Sequence, residues 1–188
     1  MSKKTYVVGI SGGTCSGKST ITTELNKILS EKYKITILHM DSYYHSDIRT
    51  IAPITRIDYP EHNHPNAIDI DRLFQDFTSA ITDQTNDIVI IEGLFALHLD
   101  QIRDKLDLKV FIDLQSDERM YRRIKRMMMH QHETLDKIAL RYLDTVRYRH
   151  DELVEPTRWH ADLVINGTLD TNLGTNILVS YLEEKLGQ

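Results

Sequence analysis

Eight consecutive residues, Gly12-Gly13-Thr14-Cys15-Ser16-Gly17-Lys18-Ser19, match G-x-x-x-x-G-K-[ST]. These residue types can hold a polyphosphate. Glycines let successive backbone N–H groups turn inward, a helix N-terminus adds partial positive charge, and Lys18 reaches the β- and γ-phosphates. The Ser19 hydroxyl is placed to hold Mg²⁺, and Thr20 follows it into the helix. The alternative, a glycine-rich turn with an incidental lysine, fits poorly with a strand pattern before the motif and a helix pattern after it. Cys15 reads either as a thiol activated at a helix N-terminus or as a small loop residue. Two carboxylates close apolar runs. Asp41 can accept or position the proton of an attacking hydroxyl, or it can cap a turn, and position alone does not choose. Glu92 ends Ile88-Val89-Ile90-Ile91. An acid there is costly unless it is paired or near a metal, although an aspartate is the usual residue on the Mg²⁺ side of such sites. Arg119, Arg122, Arg123 and Arg126 share a helix face by their spacing, and their planar, permanently charged forks suit phosphate oxygens. Phosphate contact is expected first of Arg123 and Arg126.

The elements that must position these groups follow from periodicity. Short apolar runs at 6–10, 35–38, 88–91, 108–112 and 162–165 read as strands, with helical patterns at 18–31, 69–80, 116–130, 134–151 and 171–186. Residues 42–68, with three of the four prolines, read as irregular. Apolar strands alternating with amphipathic helices predict an α/β fold of three layers, in which a parallel sheet of about five strands is covered on both faces. Ligands of such sheets bind at the carboxyl ends of the strands, where Gly12, Asp41 and Glu92 should converge. No linker divides the 188 residues, so one domain is expected, with residues 121–141 as a small lid.

Composition narrows the function. The net charge is −5, which argues against a general nucleic-acid or membrane-surface binder. The stretch 119–132 nevertheless carries five positive charges and no acid, leaving −10 on the rest of the chain. One cysteine excludes a disulfide framework and fits a reducing cytoplasm, and the first residues lead into a strand without a signal-peptide pattern. No apolar run approaches the ~20 residues of a membrane span. The histidines at 45, 62, 64, 130 and 132 lack the spacing of a transition-metal site. Met127-Met128-Met129 reads as adaptable packing in a mobile segment.

With these residues together, the chain resembles the uridine kinase family, within the wider uridine kinase and phosphoribulokinase group. The resemblance rests on GISGGTCSGKST (9–20), MDSYY (40–44), NHPNAID (63–69), IIEGLFAL (90–97), VFIDLQSDERMYRRIKR (110–126) and VEPTRWHADLVI (154–165). It implies a P-loop nucleoside triphosphatase fold, ATP and Mg²⁺ as cofactors, and a small-molecule phosphate acceptor. It further implies Asp41 as the base, Ser19 and Glu92 as the Mg²⁺ side, and Arg122, Arg123 and Arg126 as phosphate ligands. Tyr44 would line the acceptor pocket. Three departures bear on the acceptor. The family's D-H-P-D-A-F-D reads Asn63-His64-Pro65-Asn66-Ala67-Ile68-Asp69, so the ribose-binding aspartate becomes Asn63, beside His64 and with Asp58 as a nearby carboxylate. A base-reading hairpin between that motif and the Glu92 strand is missing. The lid's R-G-R reads Gln131-His132-Glu133, and the family's Gln-Tyr reads Arg141-Tyr142.

The expected activity is transfer of the ATP γ-phosphoryl to a hydroxyl of a nucleoside-like substrate. Asp41, Lys18, Arg123 and Arg126 would be catalytic. Residues 12–20 would hold the nucleotide, and Asp41, Tyr44, Asn63, His64 and Arg123 the acceptor. Other acceptors in the group (nicotinamide riboside, a pentose phosphate, pantothenate) stand as alternatives, as does a non-catalytic nucleotide-binding regulator. No N-K-x-D motif supports a GTPase. A cytoplasmic location and a homo-oligomer are the remaining expectations.

Overall fold

The computed structural model describes residues 4–168 and 172–187. The N-terminal Met1–Lys3 and the expected helix start at Thr171 lie outside them. Five strands form a parallel sheet: β1 (Tyr6–Gly12), β2 (Ile35–His39), β5 (Ile88–Glu92), β6 (Leu108–Asp113) and β7 (Leu163–Asn166). Their order across the sheet is β2-β5-β1-β6-β7. The two-residue period divides each strand between two cores. Val8, Ile10, Ile88, Ile90, Val110 and Ile112 face α1 (Lys18–Leu29) and α7 (Asn172–Leu186) through Ile21, Leu25, Leu29, Leu178 and Leu182. Val7, Val89, Ile91 and Phe111 face the other way, toward Leu73 and Phe77 of α2 (Ile70–Thr82) and toward Phe95 and Leu97. Helices on both faces give the three layers expected from alternating strands and helices.

Residues 42–68 are more ordered than expected. A 3₁₀ turn (Met40–Tyr43) leads into an antiparallel hairpin of β3 (Arg49–Ile51) and β4 (Asp58–Pro60), and a second 3₁₀ turn covers Pro65–Ala67. Three-residue strands with no buried residue have no alternating core face, so periodicity cannot reveal them. The hairpin is tied down from outside. Asp144, 2% exposed, accepts the backbone N–H groups of Ile54 and Thr55 and pairs with the Thr55 hydroxyl. Between Asp69 and β5 the structure has only α2 and a turn.

A short α3 (Asp100–Arg103) precedes β6, and α4 (Ser116–Gln131) follows it, ending on His132 in the left-handed region at φ 53°. The segment expected as a helix over 134–151 begins as α5 (Leu135–Arg141), capped by Thr134. It then widens into π turns at Tyr142–Val146 and His150–Val154 around a one-turn α6 (Arg147–Arg149), and closes as a 3₁₀ helix to His160. No helix among the described residues is long and apolar enough to cross a membrane.

Candidate active site

The carboxyl ends of the strands open into a cavity of about 600 Å³. β1 delivers the glycine-rich loop, whose Gly12 and Gly17 have φ of 142° and 109° and whose Cys15 has φ of 59°. A side chain at Gly12 would meet the Ile112 carbonyl oxygen at 2.3 Å, so the loop lies tight against β6. Gly167, after β7, closes the same contact from behind: a Cβ there would sit 2.1 Å from the Ser16 carbonyl. α1 starts immediately, and Lys18, Ser19 and Thr20 of its first turn line the cavity. Lys18 Nζ donates to the Gly13 carbonyl at 3.0 Å. Burial lowers its pKa, while Glu92 and Asp41 oppose that shift.

Glu92 is 5% exposed, and two donors hold it. Ser19 Oγ donates to Glu92 Oε1 at 3.1 Å, and His39 Nδ1 lies 2.8 Å from the same oxygen. The sheet register explains the second contact, since His39 is directly opposite Glu92 across the β2–β5 pair. A hydroxyl beside a buried carboxylate is a hard oxygen donor set of the kind Mg²⁺ takes when phosphates complete its shell, so Ser19 and Glu92 fit that ion. Asp41 lines the cavity from the 3₁₀ turn after β2. Its carboxylate makes no hydrogen bond or ion pair with the described residues, so the turn-cap alternative finds no support.

α4 supplies the cationic wall. Arg122, Arg123 and Arg126 line the cavity, and Arg123 Nη1 reaches Thr14 Oγ1 at 3.5 Å. Arg119, grouped with them by spacing, is instead buried behind the loop. Its Nε donates to the Leu114 carbonyl, and its guanidinium packs against Gly13. Four arginines on one face therefore divide into three on the cavity and one supporting the loop.

On the acceptor side stand Tyr44, His62, Asn63 and Arg141. Tyr44 and His62 meet edge to face at 5.3 Å. Burial first, and Asp41 second, push the Tyr44 pKa up. Buried Glu61 accepts the Asn63 N–H at 2.7 Å and so fixes the start of the 63–69 motif. Arg141 donates to the Pro60 carbonyl at 2.8 Å and stacks on Tyr59. His64 does not line the cavity; its Nδ1 accepts the Asn66 N–H and caps the 3₁₀ turn. Asp58 also lies elsewhere, paired with Arg49 in the hairpin. Trp159 is 88% exposed and Arg158 pairs with Asp113, and neither lines the cavity.

The sequence reading brought together Thr14, Cys15, Gly17, Lys18, Ser19, Thr20, Asp41, Tyr44, Asn63, Glu92, Arg123 and Arg126, all of which line the cavity. Gly12, Gly13 and Ser16 form the loop behind that lining. It missed His62, Leu94 and Gln131 as cavity walls, and His39 as the partner of Glu92. His62, one residue before the 63–69 motif, had a positional signal; His39 had none without the register.

A strand, a phosphate-type loop, a helix and a cationic wall facing two carboxylates define a P-loop phosphotransferase. Comparison with known proteins narrows the class. Residues 78–173 match the family described as "Phosphoribulokinase / Uridine kinase family". A uridine kinase from Lactobacillus helveticus is 30% identical over 99% of this chain and 98% of that protein. One from Staphylococcus aureus is 32% identical over 96% of this chain and 97% of that protein. In fold, the chain is similar to the shikimate kinase of Bacteroides thetaiotaomicron, with a TM-score of 0.57 at 14% identity over 97% of this chain and 99% of that one. The chain belongs to the phosphoribulokinase / uridine kinase family and is an ATP-dependent kinase acting on a small-molecule acceptor.

Proposed function

We propose that the chain phosphorylates a primary hydroxyl of a nucleoside, as the name of its uridine kinase relatives suggests. The observation that carries this is the convergence, in one cavity, of Asp41 with Lys18, Arg123 and Arg126 on one side and with Tyr44, Asn63 and Arg141 on the other. Asp41, with no structural partner to occupy it, takes or orients the proton of the attacking hydroxyl. Lys18, Arg123 and Arg126 balance charge on the transferring phosphoryl group, in a site where positioning and electrostatics supply most of the catalysis. Tyr44 and Asn63 orient the acceptor. Ser19 and Glu92 are the residues that would hold Mg²⁺, which when bound would supply neutralising positive charge beside the phosphates. Residues 121–141, carrying Arg122, Arg123, Arg126, Gln131 and Arg141, act as the lid that excludes water within a single kinase domain. A cytoplasmic enzyme without nucleic-acid or membrane partners is the reading most consistent with one cysteine and one localised basic helix.

Arg141 favours a second reading. A guanidinium stands in the acceptor half where the resembling family has glutamine, and it could hold the anionic group of a pentose phosphate or of pantothenate. Acceptor-dependent ADP release from Mg-ATP, followed with uridine, cytidine, nicotinamide riboside, ribulose 5-phosphate and pantothenate, separates the two. Turnover fastest with a nucleoside supports the first reading; turnover confined to the anionic compounds replaces it with the second.

A further inference from the structure

Arg119 is 4% exposed, and the mechanism above does not use its charge. Its Nε donates to the Leu114 carbonyl at 3.0 Å, while Nη1 has no hydrogen-bond partner among the described residues. No carboxylate among those residues forms an ion pair with it. Glu155, whose pKa is raised by burial and Asp113 and drawn back by Arg158 and then Arg119, pairs with Arg158 instead. A guanidinium is permanently charged, so Arg119 is a buried cation without a paired counter-charge. Such a group is costly until an anion comes near.

The guanidinium packs against the glycine-rich loop. A Cβ at Gly13 would sit 2.6 Å from Nη1 and 3.0 Å from Cζ, so only glycine lets the cation come this close to the main chain. The Gly13 carbonyl accepts Lys18 Nζ at 3.0 Å and the Ser16 N–H at 3.2 Å. Gly13 is therefore where Arg119, Lys18 and the loop's own turn meet. The next two residues, Thr14 and Cys15, line the cavity with Lys18, and Arg119 does not. Any influence of Arg119 on a nucleotide must act through the loop, as charge, with little solvent to screen it.

We propose that Arg119 is a positioning residue for the nucleotide, a buried cation behind the glycine-rich loop whose missing counter-charge is the bound polyphosphate. This concerns the nucleotide half alone and holds whichever acceptor is used. It is tested by calorimetric titration of the full chain with ATP, ADP and AMP, in wild type, Arg119→Lys and Arg119→Gln. Both replacements carry an N–H donor for the Leu114 carbonyl, but only lysine keeps the charge. Arg119→Gln should weaken ATP and ADP about tenfold, and AMP, with less charge, about threefold or less. Arg119→Lys should stay within about threefold of wild type for all three. A role in loop shape alone would weaken the three nucleotides alike in both replacements. That result overturns the proposal, as does wild-type affinity in Arg119→Gln. Arg119→Met, which keeps a long stem, repeats the neutral arm with the same expected losses if glutamine does not fold. Failure of both neutral variants to fold, beside a folded Arg119→Lys, makes the charge part of the fold and overturns the proposal too.

Discussion

A carboxylate that neither pairs with nor caps any described residue, exposed at the edge of a cationic cavity, is free to meet a ligand. Asp41 is that group. Asp41→Asn should bind ATP with unchanged affinity by calorimetry, while acceptor-dependent ADP release falls about 10²- to 10⁴-fold. Retained turnover would transfer the role of base to another residue. In the proposed mechanism His39 acts through Glu92, whose Oε1 lies 2.8 Å from its Nδ1. Removing that support in His39→Ala should raise the Mg²⁺ concentration for half-maximal rate about tenfold, and His39→Asn should restore it, as expected of a partner behind a metal-side carboxylate. The two residues differ in how visible they were. Asp41 closes an apolar run and sits in a motif, whereas a histidine at a strand end carries no pattern. Only the pairing of β2 with β5 reveals its role.

Elements place these residues, and two contacts between elements fix the site. The loop between β1 and α1 is wedged against the chain leaving β7, where Gly167 leaves no room for a side chain beside the Ser16 carbonyl. Gly167→Ala must push the loop out of shape, costing about 1–3 kcal/mol of stability, with a weaker ATP affinity measured by titration. On the acceptor side, Asp144 holds the hairpin loop by two backbone N–H groups and a hydroxyl. Asp144→Ala removes the buried carboxylate that accepts all three hydrogen bonds and should lower stability by about 1–3 kcal/mol, with faster amide exchange at Ile54 and Thr55. The five parallel strands and the helices beside them were legible because burial on both faces writes long apolar runs and amphipathic periods into a sequence. The hairpin and the π turns were not. Short exposed strands have no period, and a widened helix keeps the composition of an ordinary one.

For the molecule as a whole, acid is the condition that tests how the interior is assembled. Burial, then Arg119 and Lys18, push the His150 pKa down to about 3 in the folded chain from about 6.5 when exposed, so the unfolded chain binds more protons between those values. Its contribution is therefore free of penalty above about pH 6.5 and is lost progressively as pH falls toward 3, by up to about 1.4 kcal/mol per pH unit. Between about pH 7 and 5, the melting temperature of wild type should fall more than that of His150→Phe. Equal falls would place the proton elsewhere. The same helical segment has one more consequence. His150 lies nine positions after Arg141, about two and a half turns of regular α-helix, which would send them to opposite sides. The π turn over Tyr142–Val146 slows the winding, and Arg141 lines the cavity while His150 lines a small recess that shares Thr14, Asn63 and Leu94 with it. Helical phase is thus a variable of this enzyme in its own right. Deleting one residue at the exposed Leu143 would re-aim everything downstream by a fraction of a turn, changing what the acceptor meets without altering the identity of any residue that meets it.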